Sequence, residues 1–216
     1  MSILRVGQNI IIKPLIHAHT LVWLHGLGDS ADGFLDLFQG FELLPNAKIV
    51  LLTAPVRPVT LNFGMQMTSW FDIVDISSRA LNNEAIESAK LITSTIEEES
   101  KTCSSIILGG FSQGAAMSLY TGLVHYPGKI DAIIALSGYV FDFQVPENKK
   151  KVPIFMYHGK NDSMVSEEYA AQTAKKSLAG CNLTYTTEDY LTHGISDKEL
   201  ELAKSWLQNV LNKKLV

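Results

Sequence analysis

The stretch Ile106-Ile107-Leu108-Gly109-Gly110-Phe111-Ser112-Gln113-Gly114-Ala115-Ala116-Met117-Ser118-Leu119-Tyr120 decides how the rest of the chain is read. It opens on an apolar run of the kind that forms a strand buried on both faces. It closes on small and apolar residues that read as a helix. Between the two, Gly110-Phe111-Ser112-Gln113-Gly114 fits G-x-S-x-G. A serine on a tight strand-to-helix turn projects its hydroxyl above the sheet edge, and flanking glycines remove side chains that would collide there. A helix starting at the serine also turns its free N–H groups and positive dipole end toward the reacting centre. The bare pattern arises by chance in many chains. The strand before it and the helix after it make Ser112 a candidate nucleophile on an elbow.

The bulk properties fit that reading. A chain of 216 residues, 46% hydrophobic and 19% charged, has the size and composition of one globular domain, here expected to span 1–216. A net charge of −4 supplies no basic face for nucleic acid. No apolar run approaches the ~18 residues of a membrane span. The start, Met1-Ser2-Ile3-Leu4-Arg5, lacks a signal-peptide layout and a glycine at position 2 for myristoylation. Cys103 and Cys181 are too few for a disulfide framework or zinc site, so reduced thiols and a cytosolic setting are expected.

Working outward, strands are expected over 8–13, 20–24, 47–53, 130–136, 152–157 and 182–188. Helices are expected within 34–44 and over 82–100, 166–179 and 196–213. The stripe Ala85, Ile86, Ala89, Ile92 and Ile96 and the capping-box pair Ser196 and Glu199 support two of these helices. The two prolines of Ala54-Pro55-Val56-Arg57-Pro58 argue against regular structure there. Residues 60–72 carry many large apolar side chains without a clean helix or strand period, so the segment is either a loop packed on the core or a wall over an apolar pocket. The methionines suit a pocket wall. Residues 139–151 show no hydrophobic period, and Tyr139 to Phe143 is the other segment from which such a pocket could be built. Strands alternating with helices predict an α/β fold with a mostly parallel sheet covered on both faces. Functional groups then gather at the carboxyl ends of the strands.

A serine hydroxyl needs a base to take its proton as it attacks, and histidine has the suitable pKa. His17 and His19 precede a strand, and with no third ligand nearby they make a turn rather than a metal pair. His125 lies too far along the helix after Ser112. His25 and His158 each end a strand before a glycine and read as structural, bonded to backbone. His193 follows the last strand and completes the order Ser, Asp, His. Among the intervening acids, Asp131 opens a strand at the wrong end, Asp142 is in the irregular stretch and Asp189 is only four residues from His193. Asp162, in a turn just past a strand, is the expected partner of the imidazole. The glycine-rich turn His25-Gly26-Leu27-Gly28-Asp29-Ser30 after another strand is either a plain loop or the source of an oxyanion donor.

Taken together, Leu24-His25-Gly26-Leu27-Gly28-Asp29, Ala54-Pro55, Pro58-Val59-Thr60, Ser69-Trp70-Phe71-Asp72, Gly109-Gly110-Phe111-Ser112-Gln113-Gly114, Leu136-Ser137-Gly138 and His158-Gly159 with Asp162 resemble the acyl-protein thioesterase/lysophospholipase family, which includes small carboxylesterases. The resemblance runs in order along nearly the whole chain. It implies a compact α/β-hydrolase fold without a large cap domain, and a triad of Ser112, Asp162 and His193. It implies an oxyanion hole from the backbone N–H groups of Leu27 and Gln113, and no cofactor or metal. It also implies an acyl channel shaped by the segment 61–70, for which Leu61, Phe63, Met65, Met67 and Trp70 are the candidate lining residues. The expected partner is an acylated protein or a small acyl ester, with transient contact at a membrane surface. The chain departs from the family at Ser2, where some members carry a lipid-bearing cysteine, at Thr192 and Gly194 around the histidine, and at Ala115, a frequent glycine.

Overall fold

The apolar strands assemble into one eight-stranded sheet in a computed structural model that describes residues 1–212. In chain order the strands are β1 (Ser2–Val6), β2 (Asn9–Lys13), β3 (His19–Leu24), β4 (Ala47–Leu52), β5 (Val56–Val59), β6 (Met65–Thr68), β7 (Ile106–Phe111), β8 (Ala132–Leu136), β9 (Ile154–Gly159) and β10 (Leu183–Glu188). The helices are α1 (Leu35–Gly40), α2 (Asn83–Ser100), α3 (Gln113–Tyr120), α4 (Glu167–Ser177) and α5 (Asp197–Asn212). Lys213, the expected end of the last helix, lies outside the described residues.

The sheet order is β1-β2-β4-β3-β7-β8-β9-β10. From β4 to β10 every neighbouring pair is parallel, while β1 and β2 add antiparallel strands at one edge. The central strands β3, β4, β7, β8 and β9 are buried on both faces, with side chains dealt alternately to two cores. Val22 and Leu24, Leu108, and Ile133 and Ala135 pack beneath α2, α3 and α4. Leu21 and Trp23, Ile107, and Ile134 and Leu136 pack beneath α1 and α5. This period of two at near-continuous apolarity characterises a doubly covered parallel sheet. The Asn82 side chain caps α2 by accepting from the Ala85 N–H at 2.8 Å, a bond worth ~1 kcal/mol. At α5 the capping box forms in both directions, Glu199 N–H to Ser196 Oγ at 3.0 Å and Ser196 N–H to Glu199 Oε2 at 3.3 Å.

One strand is unmarked in the sequence reading and one expectation is corrected. Residues 2–6 form an edge strand, joined to β2 by a two-residue turn at Gly7, whose φ is 59°. A glycine at positive φ between two β-forming segments is a hairpin signal, masked in the sequence because all of β1 is exposed and carries no burial pattern. Pro58 does not prevent structure either. Val56–Val59 pairs antiparallel with Met65–Thr68 in a separate two-stranded hairpin. Both strands of such a ribbon are edges, where a missing N–H is tolerated.

Candidate active site

The elbow forms at the carboxyl end of β7. Ser112 has φ 54° and ψ −116°, a conformation that a β-carbon disfavours and that the surrounding backbone enforces. The turn is tight because the two glycines permit close approach. A Cβ on Gly114 would overlap the Leu24 carbonyl, and one on Gly110 would overlap the Gly114 backbone. α3 is buried along its whole length, so the elbow is seated on the core rather than on a mobile loop.

The three residues nominated from sequence meet here. His193 Nε2 lies 2.9 Å from Ser112 Oγ, and His193 Nδ1 lies 2.7 Å from Asp162 Oδ2. Asp162 is buried in the turn after β9. Its Oδ1 accepts from the Met164 and Val165 amides, both at 2.9 Å. Its Oδ2 also lies 3.2 Å from His158 Nε2. His158 Nε2 is 2.7 Å from the Val165 carbonyl, which can only accept, so this nitrogen carries the proton. Burial lowers the His158 pKa, so the ring braces the acid's turn as a neutral donor. The loop bearing His193 docks on the end of β9, where a Cβ on Gly159 would overlap the Leu191 carbonyl. The far end of that loop is tied by Ser196 Oγ–H to Glu188 at 2.6 Å, and Tyr157 O–H donates to the same carboxylate at 3.0 Å. The imidazole packs on the Phe111 ring at 4.9 Å. Asp189 points away, paired at the surface with Lys160 at 2.7 Å.

A cleft of about 320 Å³ opens over Ser112 and His193. Leu27 and Gln113, the expected oxyanion donors, both border it. Of the residues expected to line an acyl channel, Leu61 and Met67 do so. Phe63 and Met65 do not: they are 102% and 62% exposed at the far end of the β5–β6 hairpin. Phe63 occupies the left-handed conformation that turns the hairpin back, with φ 56°, and its ring points to solvent. Trp70 is not part of the wall either. It is 1% exposed, in the core beneath the cleft, with its indole N–H donated to the His25 carbonyl at 2.9 Å. The apolar wall is completed by Ile73, Ile76, Tyr139 and Val165, with Met164 at the rim. Tyr139 belongs to the irregular segment that the sequence marks as the alternative source of a wall.

Sequence reading also missed the part played by the Gln113 side chain. Its Oε1 accepts from the Trp70 N–H at 2.8 Å, and its Nε2 donates to the Phe71 carbonyl at 2.7 Å and to Ser69 Oγ at 3.0 Å. The Ser69-Trp70-Phe71 segment is therefore bolted to the elbow. A glutamine directly after the motif serine, together with a Ser-Trp-Phe block, is the only trace of this in the sequence.

With this geometry in place, the chain can be set beside known proteins. The phospholipase/carboxylesterase family model matches residues 7–211. The chain belongs to the phospholipase/carboxylesterase family. Within that family it is 35% identical to acyl-protein thioesterase 1 homolog 1 of Dictyostelium discoideum, over 91% of this chain and 92% of the relative. It is 32% identical to acyl-protein thioesterase 1 of Emericella nidulans, over 90% and 91% respectively. Among solved structures, Arabidopsis thaliana SOBER1 superposes with a TM-score of 0.82 at 33% identity, covering 90% of this chain and 99% of that one. Zea mays acyl-protein thioesterase 2 superposes with a TM-score of 0.85 at 26% identity, covering 95% and 100%. The α/β-hydrolase fold of this phospholipase/carboxylesterase family member, with its mostly parallel sheet, is thereby established.

Proposed function

We propose that this protein is a serine hydrolase of acyl thioesters and carboxylic esters, acting on acylated proteins as a depalmitoylating thioesterase, with lysophospholipase and carboxylesterase activity. The observation that carries the reading is the unbroken relay from Asp162 through His193 to Ser112, opening on an apolar cleft. The relatives named as acyl-protein thioesterases support the thioester assignment.

Ser112 Oγ attacks the acyl carbonyl carbon while His193 Nε2 takes its proton. Asp162 holds the Nδ1–H tautomer and stabilises the imidazolium that forms. The carbonyl oxygen, now an anion, is received by the Leu27 and Gln113 backbone N–H groups, typically the largest single contribution to such a reaction. Collapse of the tetrahedral adduct expels the thiol or alcohol with the proton from His193. Water then enters and attacks the acyl carbon as His193 takes its proton; the second adduct breaks its bond to Ser112 Oγ, which recovers the proton from His193, and the acid leaves. Each step is served by this chain's own groups.

The apolar wall of Leu61, Met67, Ile73, Ile76 and Tyr139 supports a fatty acyl group over a small polar one. Transient contact with a membrane surface and a cytosolic setting belong to the same reading. The exposed apolar hairpin tip at Phe63 and Met65 supports the first, and free Cys103 and Cys181 support the second. Two measurements test the proposal. A fluorophosphonate probe should label Ser112, and a protein that binds acyl groups without hydrolysing them would stay unlabelled. kcat/KM for acyl thioesters and esters of four to sixteen carbons, below their critical micelle concentrations, should rise with chain length. A steady fall from the shortest substrate would assign the enzyme to small soluble esters instead.

A further inference from the structure

The geometry points to His25 as a positioning residue that aims the Gly26–Leu27 peptide at the oxyanion; the inference rests on the mechanism proposed above, in which the Leu27 N–H is a donor. His25 is fully enclosed, at 1% exposure, and does not line the cleft. The Ala54 N–H donates to its Nε2 at 2.9 Å. A backbone amide can only donate, so Nε2 is bare and the proton sits on Nδ1. Nδ1–H then donates to the Gly26 carbonyl at 2.6 Å. Burial keeps the ring's pKa below the ordinary histidine value, which preserves this neutral tautomer.

The Gly26 carbonyl and the Leu27 N–H belong to one peptide plane. In a trans peptide the two groups point in opposite directions, and the chain contains no cis bond among the described residues. Pinning the carbonyl to the imidazole therefore fixes the direction of the Leu27 N–H. The Asp29 N–H reinforces the pin from the other side, at 3.2 Å from the same carbonyl. The plane lies beside the nucleophile, since a Cβ on Gly26 would sit 3.3 Å from Ser112 Cβ.

The neighbouring peptides are held too. The His25 carbonyl accepts from Trp70 Nε1 at 2.9 Å, and the Gly28 N–H donates to the Thr68 carbonyl at 2.8 Å. The restraint is needed because Gly26 stands at one end of this peptide and Gly28, at φ 78°, follows Leu27, so the turn would otherwise rotate cheaply. Oxyanion donors accelerate a reaction only when they are aimed before the charge develops. Trp70 is itself bonded to the Gln113 side chain. One chain of hydrogen bonds thus sets both donor loops in register.

The test compares His25→Asn with His25→Gln. The asparagine amide nitrogen falls near the place of Nδ1 and can still donate to the Gly26 carbonyl. The glutamine amide reaches the place of Nε2, can accept from Ala54, and offers nothing to Gly26. His25→Gln should lose on the order of 10²-fold in kcat at unchanged KM, the scale of one lost oxyanion donor. It should lose affinity for an acyl trifluoromethyl ketone by a similar factor. His25→Asn should keep most of both, whatever the two variants do to the unfolding temperature. Equal kcat in His25→Gln and wild type, or equal impairment in both variants, would overturn the role of His25. If His25→Gln does not fold, Trp70→Phe removes the bond to the His25 carbonyl, together with part of the buried ring packed on the imidazole at 5.3 Å, and leaves the Trp70 backbone bond to Gln113. It should lower kcat at constant KM, and an unchanged kcat would overturn the inference. Failure of the fluorophosphonate to label Ser112 in the wild type would instead remove the serine mechanism itself.

Discussion

Ser112 is the one catalytic candidate held against its own backbone preference, at φ 54° and ψ −116°. Such a conformation costs on the order of 1–3 kcal/mol and persists because the turn around it is over-determined. Ser112→Ala and His193→Ala should each lower turnover by at least ~10³-fold, and the double variant should be little worse, because the pair acts as one unit. Turnover above a tenth of wild type in either variant would remove that residue from the mechanism. Asp162→Asn should preserve the fold yet cost up to ~10⁴-fold, because the amide favours the wrong imidazole tautomer. Asp189→Asn should cost almost nothing, since Asp189 only pairs with Lys160 at the surface. The reverse ranking in a turnover assay would move the acid to Asp189.

The β5–β6 hairpin shows how an element sorts residues that look alike in sequence. Between Leu61 and Trp70 five large apolar side chains alternate as far as Met67 and lose step at Trp70, and the hairpin sends them three ways. Leu61 and Met67 go to the cleft, Phe63 and Met65 to solvent, and Trp70 to the core. The hairpin is tied to the Gly26–Asp29 turn by the Thr68 hydroxyl, which donates to the Asp29 carbonyl at 2.6 Å. Each methylene buried along the cleft is worth ~0.8 kcal/mol, or about fourfold in kcat/KM if expressed in the transition state. Met67→Asp should therefore flatten the rise of kcat/KM with acyl chain length, whereas Met65→Asp should leave the slope for monomeric substrates unchanged. Equal effects of the two substitutions on that slope would show that their places along β6, one at the tip and one at the cleft, are assigned wrongly.

At the scale of the whole molecule, the least ordinary buried charge is Glu199. It is enclosed at the start of α5, and burial pushes its pKa up from 4.5 to about 8, opposed by its bond to the Ser196 N–H. The folded protein then binds a proton that the unfolded chain releases above pH 4.5. The sign follows: stability is greatest below the unfolded pKa and falls as pH rises toward about 8, by up to ~1.4 kcal/mol per unit. Glu199→Gln keeps an acceptor for Ser196 and removes the titration. Its unfolding temperature should decline less steeply than that of wild type between pH 5 and 8, and parallel curves would show that Glu199 titrates normally.

The sequence by itself determined the fold class, because alternation of buried strands and helices is a local pattern that repeats along the chain. It also nominated Ser112, Asp162 and His193, because each lies just beyond a strand and the required chemistry limits the residue types. The tertiary structure alone decided what surrounds them. Which of Leu61, Phe63, Met65, Met67 and Trp70 reaches the cleft depends on the direction of a short hairpin, and an alternation that runs through the turn at Phe63-Gly64 does not say which end of the hairpin reaches the cleft. The bracing of Asp162 by His158, of the Gly26–Leu27 peptide by His25, and of Trp70 by Gln113 joins residues as far as 43 positions apart. The Trp70–Gln113 bond leaves no spacing rule in a single sequence, because its partners are placed by the packing of separate elements on the sheet, while residue order shows His25 and His158 as structural without stating which group each one holds.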